Sequence, residues 1–376
     1  MSSATSGLSE TQRLAWLRLI RTSNVGPASF RDLINRFGSA QNALDRLPEL
    51  VRSSGSRRTM RIPDEAEILR EMDHVTEFGA RFVYISDPDY PPLLKRIDHP
   101  PPILAVIGAG DVLQRPAISV VGARNASATG AKLAASLSAG MGQAGYAIVS
   151  GLARGIDTAA HRGGLDTGTI GVLAGGLDRP YPPENTDLYR EIVDKGGAII
   201  SEMPFGWQPR AQDFPRRNRL VAGMAHGLLV VEAAKRSGSL ISARLAAEMG
   251  RLVFAVPGSP LDPRASGTNS LLKDGAILTT EASDVLDTIR PLYGKGSHSL
   301  QLPLEEPPDL SLVPEPQEND RQRVISALGP TPVEIDALIR HTGLEPAQIQ
   351  MVLLELDLAG KLERHAGGHV SLLDFE

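Results

Sequence analysis

Apolar residues in the first part of the chain recur every three or four positions, which is the spacing of one face of an α-helix. One such stretch covers residues 14–20 and another covers 30–37, and the turn 24–27 between them reads Asn-Val-Gly-Pro. Two helices joined in this way resemble a helix-hairpin-helix, whose turn amides can hold a phosphate. The alternative, which we favour, is a small helical bundle with Gly26 as the C-cap of the first helix. Either arrangement predicts a helical domain over residues 1–78.

From about residue 80 the pattern changes to short, unbroken apolar runs separated by helix-length segments. Runs of this kind are typical of strands that helices cover on both faces of a sheet. We therefore predict an α/β domain over residues 79–292, with an extended Rossmann-like, doubly wound and mostly parallel sheet. The predicted strands cover residues 81–85, 103–107, 118–121, 147–149, 169–173, 198–200, 228–231, 252–256 and 276–278.

After this domain, residues 293–319 are rich in Pro, Glu and Asp and lack apolar periodicity, which indicates a solvated, extended linker. Residues 320–376 then carry three helical patterns and a hairpin that turns at residues 366–368. This combination predicts a C-terminal winged-helix domain, in which the third helix would read a major groove. The three helices are predicted at residues 321–328, 333–340 and 346–359.

The predicted third helix has few cations. Its polar residues are Gln348, Gln350, Glu355 and Asp357, and Lys361 comes only at its end. Because phosphate contacts dominate the affinity for DNA and require Lys or Arg, we expect this domain to bind duplex DNA weakly and to contact another protein instead. A duplex-binding regulator is therefore a disfavoured alternative for the whole chain.

The absence of cysteine from the 376 residues excludes disulfides, cysteine-based zinc sites and thiol catalysis. The first residues lack the basic start and apolar core of a signal peptide, and no apolar run approaches the length of a membrane span. We therefore expect a cytoplasmic protein with no membrane partner.

The net charge of −5 argues against a protein that binds nucleic acid with its whole surface. It permits a local basic groove, because salt screens exposed charges beyond about 10 Å. Four arginines between residues 52 and 61 belong either to a basic loop near nucleic acid or to a solvated linker.

Several predicted strands end in glycine and arginine, at the edge where doubly wound sheets bind ligands. Gly122 and Arg124 follow the strand at 118–121, and Gly151 and Arg154 follow the next strand. Glycine allows an anion to approach the backbone closely. Arg124 could either form a surface salt bridge or bind a phosphate, and we favour the phosphate because the planar guanidinium can donate two parallel hydrogen bonds to it. The spacing G-x-G-x-x-G is absent here, so no nicotinamide cofactor is expected, and no other cofactor is indicated.

A second set of candidate anion-binding residues surrounds the predicted strand at 228–231. The segment 214–219 before it reads Phe-Pro-Arg-Arg-Asn-Arg, and the turn 235–239 after it reads Lys-Arg-Ser-Gly-Ser and leads into a helix. The first N–H groups of a helix lack partners within it, and the aligned peptide dipoles leave this end partly positive. Several such turns at one sheet edge predict a groove for a polyanion.

Four side chains near these turns have two alternative roles each. Asp157 and His161, at i and i+4 on one predicted helix, form either an acid–base pair or, as we favour, a capping and packing pair, because no nucleophile lies beside them in the sequence. Tyr181 either stacks on a nucleobase or packs as a structural tyrosine. Phe214 either stacks on a base, which would contribute roughly 1–3 kcal/mol, or anchors the helix of Arg217.

The ordered motifs are Val-Gly-Ala-Arg at 121–124, Ser-Gly-Leu-Ala-Arg-Gly-Ile-Asp at 150–157, Gly-Leu-Asp at 176–178, Tyr-Pro at 181–182, Phe-Pro-Arg-Arg-Asn-Arg at 214–219, Val-Glu-Ala at 231–233, Ser-Gly-Ser-Leu at 237–240 and Val-Pro-Gly at 256–258. Together they resemble the DNA-processing protein A family (DprA, also called Smf) over about residues 80–289. The resemblance implies an extended Rossmann fold that binds single-stranded DNA without enzymatic activity. It also implies a homodimer that loads the recombinase RecA onto incoming strands during natural transformation and protects those strands from nucleases.

The resemblance further implies a DNA-binding pocket around Arg124, around Phe214 with Arg217 and Asn218, and around the turn at 237–239. Arg210, Lys235 and Arg236 lie close enough in the sequence to contribute, although their match to the family is weaker. The complete set of candidate DNA-binding residues is Gly122, Arg124, Gly151, Arg154, Arg210, Phe214, Arg217, Asn218, Arg219, Lys235, Arg236, Ser237, Gly238 and Ser239.

The main alternative function is enzymatic. Nucleotide phosphoribohydrolases of the lysine decarboxylase-like family share this type of sheet, but they need a Pro-Gly-Gly-x-Gly-Thr turn followed closely by a catalytic Glu. Here the turn from Ser237 reads Ser-Gly-Ser-Leu-Ile-Ser-Ala, and the first acid in the following helix is Glu248. Only Glu232, before the turn, could approach a ligand, so the sequence disfavours this enzyme.

Overall fold

The computed structural model describes residues 7–53, 60–293 and 316–373. The chain forms two compact units, one made of residues 71–300 and one that combines residues 1–70 with residues 301–376. Most of the predicted linker at 293–319 and the centre of the basic segment at 52–61 lie outside the described residues. The predicted domain boundaries therefore stay predictions.

The first unit, which we call the central unit, is built on a nine-stranded sheet with the order β1-β2-β6-β5-β4-β3-β7-β8-β9. Strands β3 to β9 pair parallel with one another, whereas β2 pairs antiparallel with both β1 and β6. The mostly parallel sheet is confirmed, with each strand within a residue or two of its predicted bounds. The strands are β1 Ala80–Tyr84, β2 Ile103–Gly108, β3 Ala117–Val121, β4 Ala147–Ser150, β5 Thr169–Val172, β6 Ala198–Ser201, β7 Gly227–Val230, β8 Leu252–Ala255 and β9 Ile277–Leu278.

Helices cover both faces of this sheet because successive strand residues point to opposite sides. On β3, Ile118 and Val120 pack into a core with α5, α6 and α11, whereas Val121 packs into a second core with α8 and α9. The two cores make the sheet doubly wound, as predicted. The helices of this region are α4 Glu65–Glu77, α5 Ala128–Gln143, α6 Ile156–Gly164, α7 Thr186–Asp194, α8 Asp213–Gly223, α9 Gly238–Glu248, α10 Ser266–Lys273 and α11 Ala282–Tyr293.

The chain order of the strands reverses at β3. From β3 the sheet extends through β4, β5 and β6 on one side, and α8 then carries the chain back to β7 on the other side. In register, Val121 at the end of β3 lies opposite Val230 at the end of β7. A crevice opens where the strand order reverses, because the helices that follow β3 and β7 lie on opposite faces of the sheet.

The second unit, which we call the terminal unit, contains three N-terminal helices and the winged-helix region within its described residues. Gly26 has extended backbone dihedral angles and is the N-cap of α2, and the C-cap of α1 is Arg21, so the prediction of Gly26 as a C-cap is wrong. A small strand, β10, adds a third member to the predicted hairpin, in the order β10-β12-β11. The elements are α1 Glu10–Ile20, α2 Pro27–Phe37, α3 Ala40–Ser53, α12 Glu318–Ala327, β10 Val333–Glu334, α13 Ile335–Thr342, α14 Pro346–Leu358, β11 Leu362–His365 and β12 His369–Leu372.

The third helix of the winged-helix region, α14, is buried in the terminal unit. Leu354 and Leu358 join the hydrophobic core of the N-terminal helices. Glu355 is 4% exposed and accepts hydrogen bonds from Arg321 at 2.7 and 2.8 Å. Asp357 binds Arg364 at 3.1 Å, and the same guanidinium binds Asp32 of α2 at 3.1 Å. The C-terminal half of this helix is therefore packed within the terminal unit, and weak duplex binding stays a prediction.

Across the described ranges of both units, none of the helices has the length and apolar character that a membrane span requires.

Candidate nucleic-acid interface

A cleft of about 650 Å³ opens at the carboxyl ends of β3, β4 and β7, at the point where the strand order reverses. This volume lies within the range of roughly 300–1,000 Å³ that is typical of ligand clefts. Ten of the fourteen predicted site residues line it, so most of the residues identified from four separate segments come together. These ten are Gly122, Arg124, Gly151, Phe214, Arg217, Asn218, Arg236, Ser237, Gly238 and Ser239.

The N-terminus of α9 faces this cleft. Ser237 is its N-cap, and the Ser237 hydroxyl accepts a hydrogen bond from the Ser239 N–H at 3.3 Å. Residues 237–239 line the cleft, so the positive end of the helix dipole is directed at any ligand there. The exposed Arg236 adds a full positive charge next to this helix end.

The N-terminus of α5, by contrast, is neutralised by the protein's own carboxylate. Glu232 accepts hydrogen bonds from the backbone N–H and the hydroxyl of Ser127, at 2.9 and 2.5 Å. Of the two helices that follow β3 and β7, only α9 therefore presents its N-terminus to the cleft. Because its carboxylate is bound to Ser127, Glu232 is not placed to act as a catalytic acid in the cleft.

Arg124 is exposed at the end of β3 and lies against an aromatic pair. Its guanidinium carbon is 5.3 Å from the centre of the Phe214 ring, which is within the range of a cation–π contact. Phe214 meets Tyr181 edge to face, with 5.6 Å between the ring centres. A smaller pocket next to the main cleft is lined by these three side chains and by Arg154.

Arg217 is buried beneath the cleft, with only 6% of its surface exposed. Its Nη1 donates to the carbonyl of Val172 at the end of β5, at 3.1 Å. Burial lowers the pKa of Arg217, and the nearby Asp157 carboxylate opposes this shift. The guanidinium occupies the space that a side chain at position 151 would need, since a Cβ on Gly151 would lie 1.5 Å from Nη1. Glycine is therefore required at 151 for Arg217 to reach the cleft.

Asp157 and His161 have structural roles. The Asp157 carboxylate accepts hydrogen bonds from the N–H groups of Gly151 and Ala153, at 3.1 and 3.3 Å, and so shapes the loop after β4. Burial raises the pKa of this carboxyl group. His161 Nδ1 is 2.7 Å from the Thr169 hydroxyl, and burial lowers its pKa to about 3. His161 is therefore neutral near pH 7 and does not bind Asp157, which makes the acid–base alternative wrong.

Three of the predicted residues do not line either pocket. Arg219 makes an ion pair with the nearly buried Glu202 and donates to the carbonyl of His99 at 3.2 Å, so its charge is directed away from the cleft. Arg210 lies over the Trp207 ring, with its guanidinium carbon 4.3 Å from the ring centre. Lys235 is exposed beside the turn but contributes no lining atoms.

One further arginine that lines the cleft, Arg264, was not among the candidate site residues. It lies in the loop after β8 and makes a two-point ion pair with Asp262, with both N–O distances 3.1 Å. The Asp-Pro-Arg sequence around it carries no recognisable phosphate-binding pattern, and only the course of the loop brings it to the cleft. Its charge is partly neutralised by Asp262, so we expect it to contribute less than Arg124.

Glu248, the other acid weighed for catalysis, lies at the opposite end of α9. It pairs with Arg244 at 3.6 Å and is ten residues from Gly238, or about 15 Å along the helix. Within the described residues, no cluster of His, Asp and Glu could hold a metal ion. The arrangement is suited to holding several negative charges, and neither Glu232 nor Glu248 is placed to act as an acid or base there.

Comparison with known proteins agrees with this geometry. Residues 81–290 match the family model described as DNA recombination-mediator protein A. A Protein Smf from Synechocystis sp. is 30% identical over 96% of this chain and 98% of its own length.

The chain belongs to the DprA/Smf family. The family's other domains are also present, since residues 10–73 match a DprA-like N-terminal HHH domain and residues 306–368 match a DprA winged-helix domain. The helix-hairpin-helix is thereby confirmed over the simple bundle that we favoured.

Two solved DprA structures are similar to this chain. The X-ray structure of DprA from Streptococcus pneumoniae is 35% identical, covers 76% of this chain and 95% of that chain, and gives a TM-score of 0.57. A DprA structure from Helicobacter pylori, described as showing a unique single-stranded DNA binding mode, is 27% identical and covers 57% of this chain and 97% of that chain, with a TM-score of 0.52.

Proposed function

We propose that this DprA/Smf protein binds single-stranded DNA in the cleft at the ends of β3, β4 and β7. It would protect incoming strands and load the RecA recombinase onto them during natural transformation, as a homodimer and without catalysing a reaction. The observation that carries the proposal is the convergence of Arg124, Arg217 and the N-terminus of α9 on one cleft. Successive phosphates of one strand need several positive sites side by side, and neighbouring strand ends supply them.

The depth of Arg217 favours a single strand over a duplex. Its guanidinium is buried below the rim that the exposed Arg124 forms. A flexible strand can bend so that one phosphate descends toward Arg217 while the next contacts Arg124. The phosphates of duplex DNA lie on a stiff rod, whose bending costs energy. In addition, α14, the helix that would read a duplex, is buried in the terminal unit.

Family membership supports the finer parts of the proposal. The single-stranded DNA binding mode described for the H. pylori relative makes the same ligand the first choice here. The RecA partner and the homodimer rest on the family resemblance alone. A binding role without catalysis is supported by Glu232, which is held at α5, and by Glu248, which lies far from the turn. Turnover of nucleoside monophosphates by the purified protein would contradict that part.

The ligand preference can be tested by fluorescence anisotropy with oligo-dT and with a duplex of equal length. We expect the single strand to bind at least about tenfold more tightly at moderate salt, because only it can reach Arg217. Three arginines (124, 217 and 236) predict a slope of log K against log salt of about −2, since each phosphate contact on a single strand contributes about −0.7. Equal affinity for both DNAs, or binding that salt does not weaken, would argue against the cleft.

A further inference from the structure

The turn between the first two helices of the terminal unit contacts the end of another helix of the same chain. The Nδ2 of Asn24, in this turn, donates to the carbonyl of Leu358 at 3.0 Å. Leu358 is the last residue of α14, and the last four carbonyls of a helix have no partner within it. A Cβ on Gly360, which follows the helix, would lie 3.2 Å from the same Nδ2. The helix-hairpin-helix turn and the carboxyl end of α14 are therefore in direct contact.

Charged groups anchor this contact. The Arg364 guanidinium binds Asp357 of α14 and Asp32 of α2, at 3.1 Å each, and all three side chains are less than a quarter exposed. The Asp357 carboxylate also lies near the hydroxyl of Ser29, in the first turn of α2. The N-terminus of a helix is partly positive and its C-terminus is partly negative. The contact thus places a carboxylate and the negative end of α14 beside the positive end of α2.

The two parts that meet here have opposite charges. Residues 10–53 carry seven arginines and no lysine against four acids, whereas residues 316–373 carry five cationic Lys and Arg residues against eight acids. Leu354 and Leu358 add an apolar contact, since they belong to the core of the N-terminal helices. The winged-helix region is therefore an acidic partner packed on a basic one, and basic surfaces of this kind also attract the phosphates of DNA.

The contact covers the two elements of the terminal unit that could meet a duplex. The turn amides of a helix-hairpin-helix can hold a phosphate, and the third helix of a winged-helix domain is the one that would read a major groove. We propose that this contact is an autoinhibitory clasp, in which the acidic end of α14 occupies the turn in place of a phosphate of duplex DNA. The terminal unit then binds a duplex only after the clasp opens. The inference goes beyond the proposed function and does not depend on the cleft of the central unit.

The variant Arg364→Ala opens the clasp, because it leaves Asp32 and Asp357 without their shared cation. Loss of a cation ordinarily weakens DNA binding. Anisotropy with the full chain should nevertheless show at least about fivefold tighter binding to a labelled duplex than the parent shows. Its affinity for oligo-dT should stay within about twofold of the parent, since the cleft is a separate site.

The matched control is Arg340→Ala, which removes the same charge from the winged-helix region. The Arg340 side chain is 70% exposed, and it pairs with Glu334 at 3.9 Å rather than with α2. This variant should not gain affinity for the duplex. An equal gain in both variants would overturn the inference, because the gain would then come from something other than the clasp.

A second variant closes the clasp with a covalent bond. Because the chain has no cysteine, the pair Asn24→Cys and Gly360→Cys can form only one disulfide within the chain. A Cβ at position 360 would lie 3.5 Å from Cγ of Asn24, the position that a cysteine sulfur takes, so the pair is close enough to join. The reduced form lacks the Asn24 hydrogen bond and should bind the duplex at least about fivefold more tightly than the oxidised form. Added reductant should restore the binding.

Duplex affinity that neither Arg364→Ala nor oxidation of the cysteine pair changes would overturn the inference. Failure of the pair to oxidise, as measured by mass spectrometry, would contradict the contact itself. If circular dichroism shows that Arg364→Ala does not fold, the redox comparison decides alone, because both forms are the same protein. A parent that fails to bind oligo-dT would instead contradict the proposed function and leave the duplex comparison intact.

Discussion

Replacing Arg124 and Arg217 together by alanine should lower the affinity for oligo-dT by about 100-fold. A hydrogen bond to a charged group contributes roughly 1.5–3 kcal/mol, and the two arginines supply one buried and one exposed cation of the cleft. The slope of log K against log salt should also become less steep by about 1.4, because two phosphate contacts are lost. Anisotropy titrations of both proteins across a salt series measure both effects.

The matched control is Arg216→Ala. Arg216 lies next to Arg217 on α8, but its Nε donates to Glu202 at 3.0 Å and it does not line the cleft. Removing it deletes the same charge from the same helix, and Glu202 keeps its partner Arg219. We expect a change of less than about threefold. The site assignment fails if the double variant, shown by circular dichroism to be folded, binds oligo-dT as the parent does at moderate salt. The single variant Arg124→Ala repeats this test without changing a buried residue, because Arg124 is exposed.

Gly151→Ala should have the second-largest effect, although it removes no charge. The added methyl group would lie 1.5 Å from Nη1 of Arg217, so the guanidinium must leave its position at the carbonyl of Val172. Overpacking of this kind typically costs about 1–3 kcal/mol of stability. We expect the melting temperature to fall and the affinity for oligo-dT to drop by at least about tenfold, because the displaced Arg217 no longer faces the phosphate.

Gly329→Ala provides the control for Gly151→Ala. A Cβ at Gly329 meets no atom within 4 Å, and this residue belongs to the terminal unit rather than to the cleft. Melting curves and anisotropy should both match those of the parent. If Gly151→Ala also matched the parent in both, the close fit between Gly151 and Arg217 would have no part in binding.

Strand ends were the most predictable part of the site. The apolar runs that end at Gly122 and Gly151 are short, unbroken and followed by helix-length segments, and a doubly wound sheet brings such ends to one edge. The sequence could therefore indicate Arg124 and the turn at 237–239 before any coordinates. The roles of Tyr181 and Arg264 could not be decided in this way, because only the course of two long loops brings Tyr181 to the smaller pocket and Arg264 to the cleft.

Helix geometry separates Arg217 from Arg219. Residues two apart on a helix point about 200° away from each other, so both could not face one cleft. Arg216 and Arg219, three apart, share a side of α8, and both bind Glu202. The helical spacing alone does not say which side faces the ligand. Glu202, which follows β6, binds Arg216 and Arg219, and the side of α8 that carries Arg217 therefore faces the cleft.

The sequence of α14 also indicates that this helix is buried. Leucine, valine, isoleucine and methionine occur on every side of this helix, and a helix that is apolar all round is usually buried. Its fit against α2 and α3 depends on Leu354 and Leu358 and on the ion pairs of Arg364 with Asp32 and Asp357. The contacts with α2 and α3 join residues about 300 positions apart in the sequence, and no local pattern predicts such a pairing.

The most direct test of the central claim is photo-crosslinking of a single strand that contains 5-iododeoxyuridine, followed by mass spectrometry of the crosslinked peptides. The cleft assignment predicts that the full chain crosslinks through the segments that carry Phe214 and Tyr181, and that unlabelled oligo-dT competes. Crosslinks confined to the terminal unit, for example to α14, with none in the central unit, would contradict it.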